Sequence, residues 1–211
     1  MIRVVVLAIW DYFTDAGLSG LGLDLACGVV LAALSMAFIP FAGRMVGLLS
    51  DCVLRGLSEL FGRDAAYWIG NYATFPGVVL HEFSHAAAAK LSGAKVESMK
   101  LFSPDGTTLG QVQFTCQGKR RRELAFQRAC ASCAPVVGGV LFISLFHKAA
   151  VWGCGYWPLQ VLSWHGALSM ACHMDMSRQD MKNYLRGCVW LLPYATAVFT
   201  VVAYAVGHST A

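Results

Sequence analysis

Charge is what this chain has least of. Only 13% of its 211 residues are Asp, Glu, Lys or Arg, against about 25% in a typical soluble domain. Apolar residues reach 57%. That balance excludes an ordinary water-soluble globule and predicts an integral membrane protein, most simply one compact helical domain over residues 1–211. The formal net charge of +4 comes largely from segments between apolar runs. It reads as a topology signal, and nucleic acid is not expected as a partner. A disulfide framework is missing too. The eight cysteines fall mostly within apolar runs, where a free thiol behaves as a small hydrophobe. Cys130-Ala131-Ser132-Cys133 has no second pair, so core packing is expected of it rather than redox or metal chemistry. No small-residue cleavage site follows the apolar run at Met1–Leu7, so no signal peptide is expected.

What is abundant is long apolar sequence. About 20 apolar residues cross a bilayer core as a helix. On that measure five spans are expected, near 23–42, 66–90, 125–147, 151–173 and 188–207. Residues 1–20 fit either an interfacial helix or part of a longer first span. Residues 44–64 mix Arg44, Asp51, Arg55, Glu59, Arg63 and Asp64 with apolar side chains, a pattern expected of an amphipathic helix on the membrane surface. Residues 94–117 differ. Ser103-Pro104-Asp105-Gly106 signals a turn, and Val112, Phe114 and Cys116 then alternate with polar residues. A β-hairpin or small sheet is expected there. It reads either as a surface loop or as an edge strand able to hold an extended peptide.

Lys90, Lys95, Lys100, Lys119, Arg120, Arg121 and Arg122 lie in one polar segment, and Arg178, Lys182 and Arg186 in another. The positive-inside rule puts both at the cytoplasmic face, which five spans with the N-terminus inside satisfy. The three arginines of 44–64 then lie outside, against the rule.

Within the second expected span stands His81-Glu82-Phe83-Ser84-His85. On a helix, residues four apart share a face. Two imidazoles so placed can share one tetrahedral Zn²⁺, with the carboxylate beside them positioned as a general base. Three ionisable groups in apolar surroundings are costly, which favours function over packing. Thr74 is expected to cap this helix, Pro76 to sit in its first turn and Gly93 to end it.

A catalytic zinc takes three protein ligands and keeps one position open. His173, Asp175 and Asp180 are near enough in sequence pattern to supply the third, and Asp180 is favoured, with Asp175 next. Ser177-x-x-Asp180 also matches a capping box for the last helices, and the two roles are compatible. His165 lies mid-span and suits either a water path or a packed hydrogen bond. His147 and His208 lie near span ends and read as interfacial.

With those residues in view, the chain resembles the site-2 protease class of intramembrane zinc metalloproteases. The resemblance covers roughly residues 70–190. It rests on Gly77–Ala86 around the His pair, the β-prone segment after it, Ala134-Pro135-Val136-Val137-Gly138-Gly139 in the following apolar helix, and an Asp between the last two helices. It implies His81 and His85 as zinc ligands, Glu82 as the base, and an Asp as third ligand. The better-known members draw that Asp from a Leu-Asp-Gly element, which is absent here. The segment 174–183 is similar instead to a divergent, mostly bacterial branch of small membrane proteins, in which the Asp of Ser-x-x-Asp takes the role.

The expectation is therefore a membrane zinc endopeptidase, acting on membrane-protein or peptide substrates in or near the bilayer. Its location would be a bacterial inner membrane, with the site towards the cytoplasm. The alternative is a zinc-binding membrane scaffold or regulator that does not cut. Glu82 favours the enzyme, since a binding-only site has no need of a base. A metal transporter would spread its ionisable residues over several depths, and here they concentrate at one.

Overall fold

The fold is that of a computed structural model describing residues 2–101, 110–153 and 156–208. The Ser103–Gly106 turn and Cys154 lie outside these residues. The described chain is mostly helical. Its elements are α1 (Ile2–Asp15), α2 (Gly20–Phe61), α3 (Arg63–Trp68), a π-helical turn at Ile69–Ala73 and α4 (Phe75–Leu91). Then come β1 (Lys95–Lys100), β2 (Gln111–Thr115), α5 (Arg121–Trp152), α6 (Trp157–His173), α7 (Arg178–Gly187), a short 3₁₀ turn at Cys188–Trp190 and α8 (Leu192–Gly207).

Two helices, α2 and α5, are long and apolar enough to cross a membrane, or up to three if Arg178–Trp190 and Leu192–Gly207 form one broken span. At 17 residues each, α4 and α6 reach only about 26 Å, less than the ~30 Å of a hydrocarbon core. Five crossings are thus not evident from helix length alone. Large apolar side chains stand exposed along the helices, among them Leu34, Phe38 and Phe41 on α2, Val137, Val140 and Leu145 on α5, and Val161, Leu162 and Leu168 on α6. So much contiguous apolar surface is stable in lipid and not in water.

The amphipathic surface helix expected over 44–64 is not a separate element. Residues 44–61 continue α2 without interruption. Pro40 lies inside α2 and does not end it. The first residue able to stop the helix is Gly62, whose φ of 85° lies in the left-handed region. Residues 2–15 form a helix of their own rather than part of a longer first span.

The chain divides into two compact units, residues 1–38 with 188–211, and residues 39–187. In the first, Val6, Leu23, Cys27, Leu31 and Ala203 form the buried core, flanked by Ile9, Trp10, Phe13 and Phe199. The second unit is packed through small residues, as membrane helices are. A Cβ at Gly77 would lie 2.1 Å from the Ser169 carbonyl oxygen, one at Gly138 would lie 2.5 Å from Ser84 Oγ, and one at Gly187 would lie 2.1 Å from the Ala125 carbonyl oxygen. These three approaches bring α6 onto α4, α5 onto α4, and α7 onto α5. The four helices that contribute to the site described below are joined by them.

The expected hairpin is present as an antiparallel pair, with Lys95 opposite Thr115 and Lys100 opposite Gln111, and a bulge between Val96 and Ser98. Gly93, at φ 91°, ends α4 as expected and turns the chain into β1. The exit from β2 is pinned to α5 by a reciprocal pair of bonds. Gln127 Oε1 accepts from the Gln117 N–H at 2.7 Å, and Gln127 Nε2 donates to the Gln117 carbonyl at 2.6 Å.

Candidate metal centre

The start of α4 is fastened from outside the helix. Thr74 occupies the N-cap position, but its side chain does not cap. Its hydroxyl donates back to the Gly70 carbonyl at 2.7 Å and meets His173 Nε2 at 2.8 Å. The Gly77 N–H, which donates to the Thr74 carbonyl at 3.0 Å, also donates to Ser169 Oγ of α6 at 2.7 Å, and that hydroxyl in turn donates to the Thr74 carbonyl at 2.7 Å. Ser169 thereby ties the first turn of α4 to α6. Ser169 was not foreseen from sequence, since one serine in an apolar run carries no spacing signal.

One and two turns further along α4 come His81 and His85. His81 Nδ1 bonds the backbone carbonyl of His173, at the end of α6. His85 Nδ1 bonds the carbonyl of Ala131, on α5, at 2.8 Å. A carbonyl only accepts, so both Nδ1 atoms carry hydrogen. In the neutral rings, both Nε2 atoms then hold lone pairs. Those two atoms face each other at 3.1 Å, with the rings edge to face at 74°. Two lone pairs at that distance repel unless a proton or a cation lies between them. Backbone carbonyls that hold Nδ1–H are also the usual outer partners of metal-bound histidine.

Asp180 stands near the same point. Its Oδ2 lies 3.9 Å from His85 Nε2. It also accepts the Ser177 hydroxyl at 2.5 Å, while the Asp180 N–H donates to Ser177 Oγ at 3.0 Å. The two roles expected of Asp180, helix cap and neighbour of the histidines, therefore coexist.

The donor chemistry can be tested against a tetrahedral Zn²⁺. Two donors about 2.05 Å from one such ion stand roughly 3.4 Å apart. The His pair, at 3.1 Å, is close to that spacing; Asp180, at 3.9 Å, stands about half an ångström too far. Among the described residues no group of three or more His, Cys, Asp or Glu side chains is assembled at metal-holding distances. Two donors are thus in register, and the third is adjacent.

Of the other two possible third ligands, His173 is turned away. Thr74 gives its one hydroxyl hydrogen to Gly70, so His173 Nε2 donates to Thr74 Oγ1 and offers no lone pair there. The contribution of His173 is its main-chain carbonyl. Asp175 lines a separate cavity of about 490 Å³, with Gly47, Asp51, Arg178 and Lys182 among its walls. Burial pushes its carboxyl above the usual carboxylate range, and His81 opposes that shift.

Glu82 is half-buried, and among the described residues its carboxylate has no hydrogen-bonded or ion-paired partner. Against it lies Gly110, directly before β2. A Cβ there would sit 2.5 Å from Glu82 Cγ. The β-sheet therefore begins at the side chain expected to act as base. This glycine was not singled out in the sequence, because nothing near it in the chain marks the approach. His165 is exposed on α6, and His147 meets Trp164 edge to face. Cys130 and Cys133 are free thiols, Cys133 donating to the Cys130 carbonyl at 3.4 Å.

No family model, curated protein or solved structure matches this chain.

Proposed function

We propose that this protein is an intramembrane zinc endopeptidase, resembling the site-2 protease class in its catalytic residues. The observation that carries the reading is the His pair. Both rings are held by backbone carbonyls in the tautomer that leaves Nε2 free, and the two Nε2 atoms converge. Packed core histidines have no reason to face each other lone pair to lone pair.

In this reading His81, His85 and Asp180 hold the metal. Zn²⁺, when bound, supplies Lewis acidity, making water a stronger acid and polarising a carbonyl. The chain supplies the rest. Glu82, next to the pair, takes a proton from the attacking water and returns it to the leaving amine. Ser177 holds Asp180 by its hydroxyl, and the carbonyls of His173 and Ala131 hold the imidazoles. An extended peptide laid along β2 would pass Glu82 at Gly110. A strand is the suitable substrate form, because a helical peptide keeps its scissile carbonyl in its own hydrogen bonds. The accompanying topology has five crossings, in which α3, the π-helical turn and α4 together make the second, with the site at the cytoplasmic face of a bacterial inner membrane.

The test uses the full chain in proteoliposomes with single-span membrane peptides, new N-termini being identified by mass spectrometry. Wild type should generate termini that Glu82→Gln does not. If wild type carries zinc and produces no Glu82-dependent termini, the site binds without cutting and the scaffold reading replaces this one.

A further inference from the structure

The strongest concentration of unpaired positive charge lies away from the histidines, where α5 begins. Arg121, Leu124, Ala125 and Arg128 of α5 and Asn183 and Arg186 of α7 line a cavity of about 340 Å³. On α5 the spacing 121, 124/125, 128 is one helix face, and on α7 the spacing 183, 186 is another. The close approach of Gly187 to the Ala125 carbonyl clamps these two faces together. Three guanidinium groups and a side-chain amide thus edge one recess whose floor is apolar.

No carboxylate lines this recess. Among the described residues the one ion pair of a Lys or Arg is Lys95 with Glu97, so none of the three arginines is ion-paired there. The nearest acid in sequence, Glu123, is turned the other way. Its Oε2 accepts the Lys119 and Arg120 N–H groups at 3.1 and 3.4 Å and caps α5. Asn183 Oδ1 is occupied by Gln179 Nε2 at 3.0 Å, which leaves the Asn183 amide hydrogens as donors. Like charges held together without counterions destabilise a fold unless an anion joins them.

We propose that this recess binds the phosphate of an anionic phospholipid. Planar guanidinium forks match phosphate oxygens two at a time. The setting favours a lipid over a soluble anion. α5 is one of the two helices long and apolar enough to cross a membrane, and the recess lies at its N-terminal end. Arg120 and Arg122 add two more cations beside it. Basic pockets between helices at the end of a span are typical headgroup sites. Leu124 and Ala125 on the recess floor suit the glycerol and first methylenes of such a lipid. The proposal does not depend on proteolysis, and its test reads no activity.

Detergent-purified full chain is titrated with short-chain phosphatidylglycerol, phosphatidylcholine or inorganic phosphate, and bound species are counted by native mass spectrometry. Wild type should retain phosphatidylglycerol and not phosphatidylcholine. Arg121→Gln/Arg128→Gln/Arg186→Gln should weaken that retention at least ~10-fold, since each basic residue near an anionic lipid contributes appreciably. Arg3→Gln/Arg55→Gln/Arg63→Gln removes the same charge elsewhere and should change it little. If the first triple variant misfolds, Arg128→Lys keeps the charge, loses the fork and should still weaken binding several-fold. Equal retention by the recess variants and wild type overturns the proposal. Displacement of the lipid by equimolar inorganic phosphate overturns the lipid assignment in favour of a free anion.

Discussion

The two compact units differ in how far their polar groups are organised, although each leaves a buried side-chain oxygen without a hydrogen-bond partner among the described residues, Ser132 Oγ in residues 39–187 and Asp24 Oδ1 in the other. In residues 39–187, polar groups at the helix junctions are held in pairs and chains: Thr74 to Gly70 and His173, Gly77 to Ser169 to Thr74, His81 to His173, His85 to Ala131, and Ser177 to Asp180. In residues 1–38 with 188–211, Asp24 is only 3% exposed, sits beside Leu23 and Cys27 of the apolar core, and has an Oδ1 with no hydrogen-bond partner among the described residues. A half-satisfied polar group in low dielectric is costly, whereas a fully satisfied network rigidifies what it joins. The comparison teaches where precision has been built. Around α4 it fixes two rings to a particular tautomer and rotation. The first unit has an apolar core and one buried acid without such a network.

The comparison can be broken most severely at the base. Glu82→Gln should lower peptide hydrolysis by about 10²–10⁴-fold, the usual worth of a general base, while zinc content stays at the wild-type level. Activity within a few-fold of wild type would remove Glu82 from the chemistry. Next comes the fastening of α4. Gly77→Ala forces a methyl group into the Ser169 carbonyl. It should cost about 1–3 kcal/mol, as overpacking does, and should lower zinc affinity with it. Thermal unfolding and metal titration of the same samples measure both. A variant that loses stability but keeps zinc affinity would show that the α4–α6 contact does not orient His81.

The first unit gives the opposite sign. Asp24→Leu replaces a buried acid, whose Oδ1 has no hydrogen-bond partner among the described residues, by an apolar side chain. It should raise stability by about 1–3 kcal/mol, with hydrolysis unchanged. Lost stability, or lost activity in a folded variant, would mean that Asp24 has a partner or a task after all.

The smallest effect expected is that of Asp175. Its folded-state carboxyl titrates above the ordinary value near 3.8, chiefly through burial. The folded state therefore holds this proton to higher pH than the unfolded chain does. Stability from this group is full below the unfolded value and is lost as pH rises through the folded one. Asp175→Asn should flatten the part of the stability profile that lies above the ordinary carboxylate value and leave zinc stoichiometry unchanged. Zinc loss in this variant would make Asp175 the third ligand.

Much of this was legible because it is local. The His81–His85 spacing, the Gly93 stop, the alternation over 111–115 and the Ser177–Asp180 box each depend on neighbours within a few residues, and each is found where the pattern put it. The errors and omissions are of two other kinds. The surface helix expected over 44–64 was a mistaken boundary, since charge was taken as a break where no residue interrupts the helix before Gly62. Ser169, Ala131 and Gly110 are omissions of another sort. They reach α4 from far along the chain, by a hydroxyl, a main-chain carbonyl and a missing Cβ, and none of these has a sequence signature. His173 shows the same limit from the other side, as a ligand type whose ring is already bonded to Thr74 and whose useful atom is its carbonyl.

The central claim is that the converging His pair and Asp180 form a metal site. Elemental analysis of detergent-purified wild type, His85→Ala and Asp180→Ala tests it most directly. The account predicts about one zinc per chain in wild type, as a mononuclear site requires, and clear loss in both variants with the helical content unchanged. Wild type that takes up no zinc even after reconstitution would contradict it and leave His81 and His85 as packed polar residues.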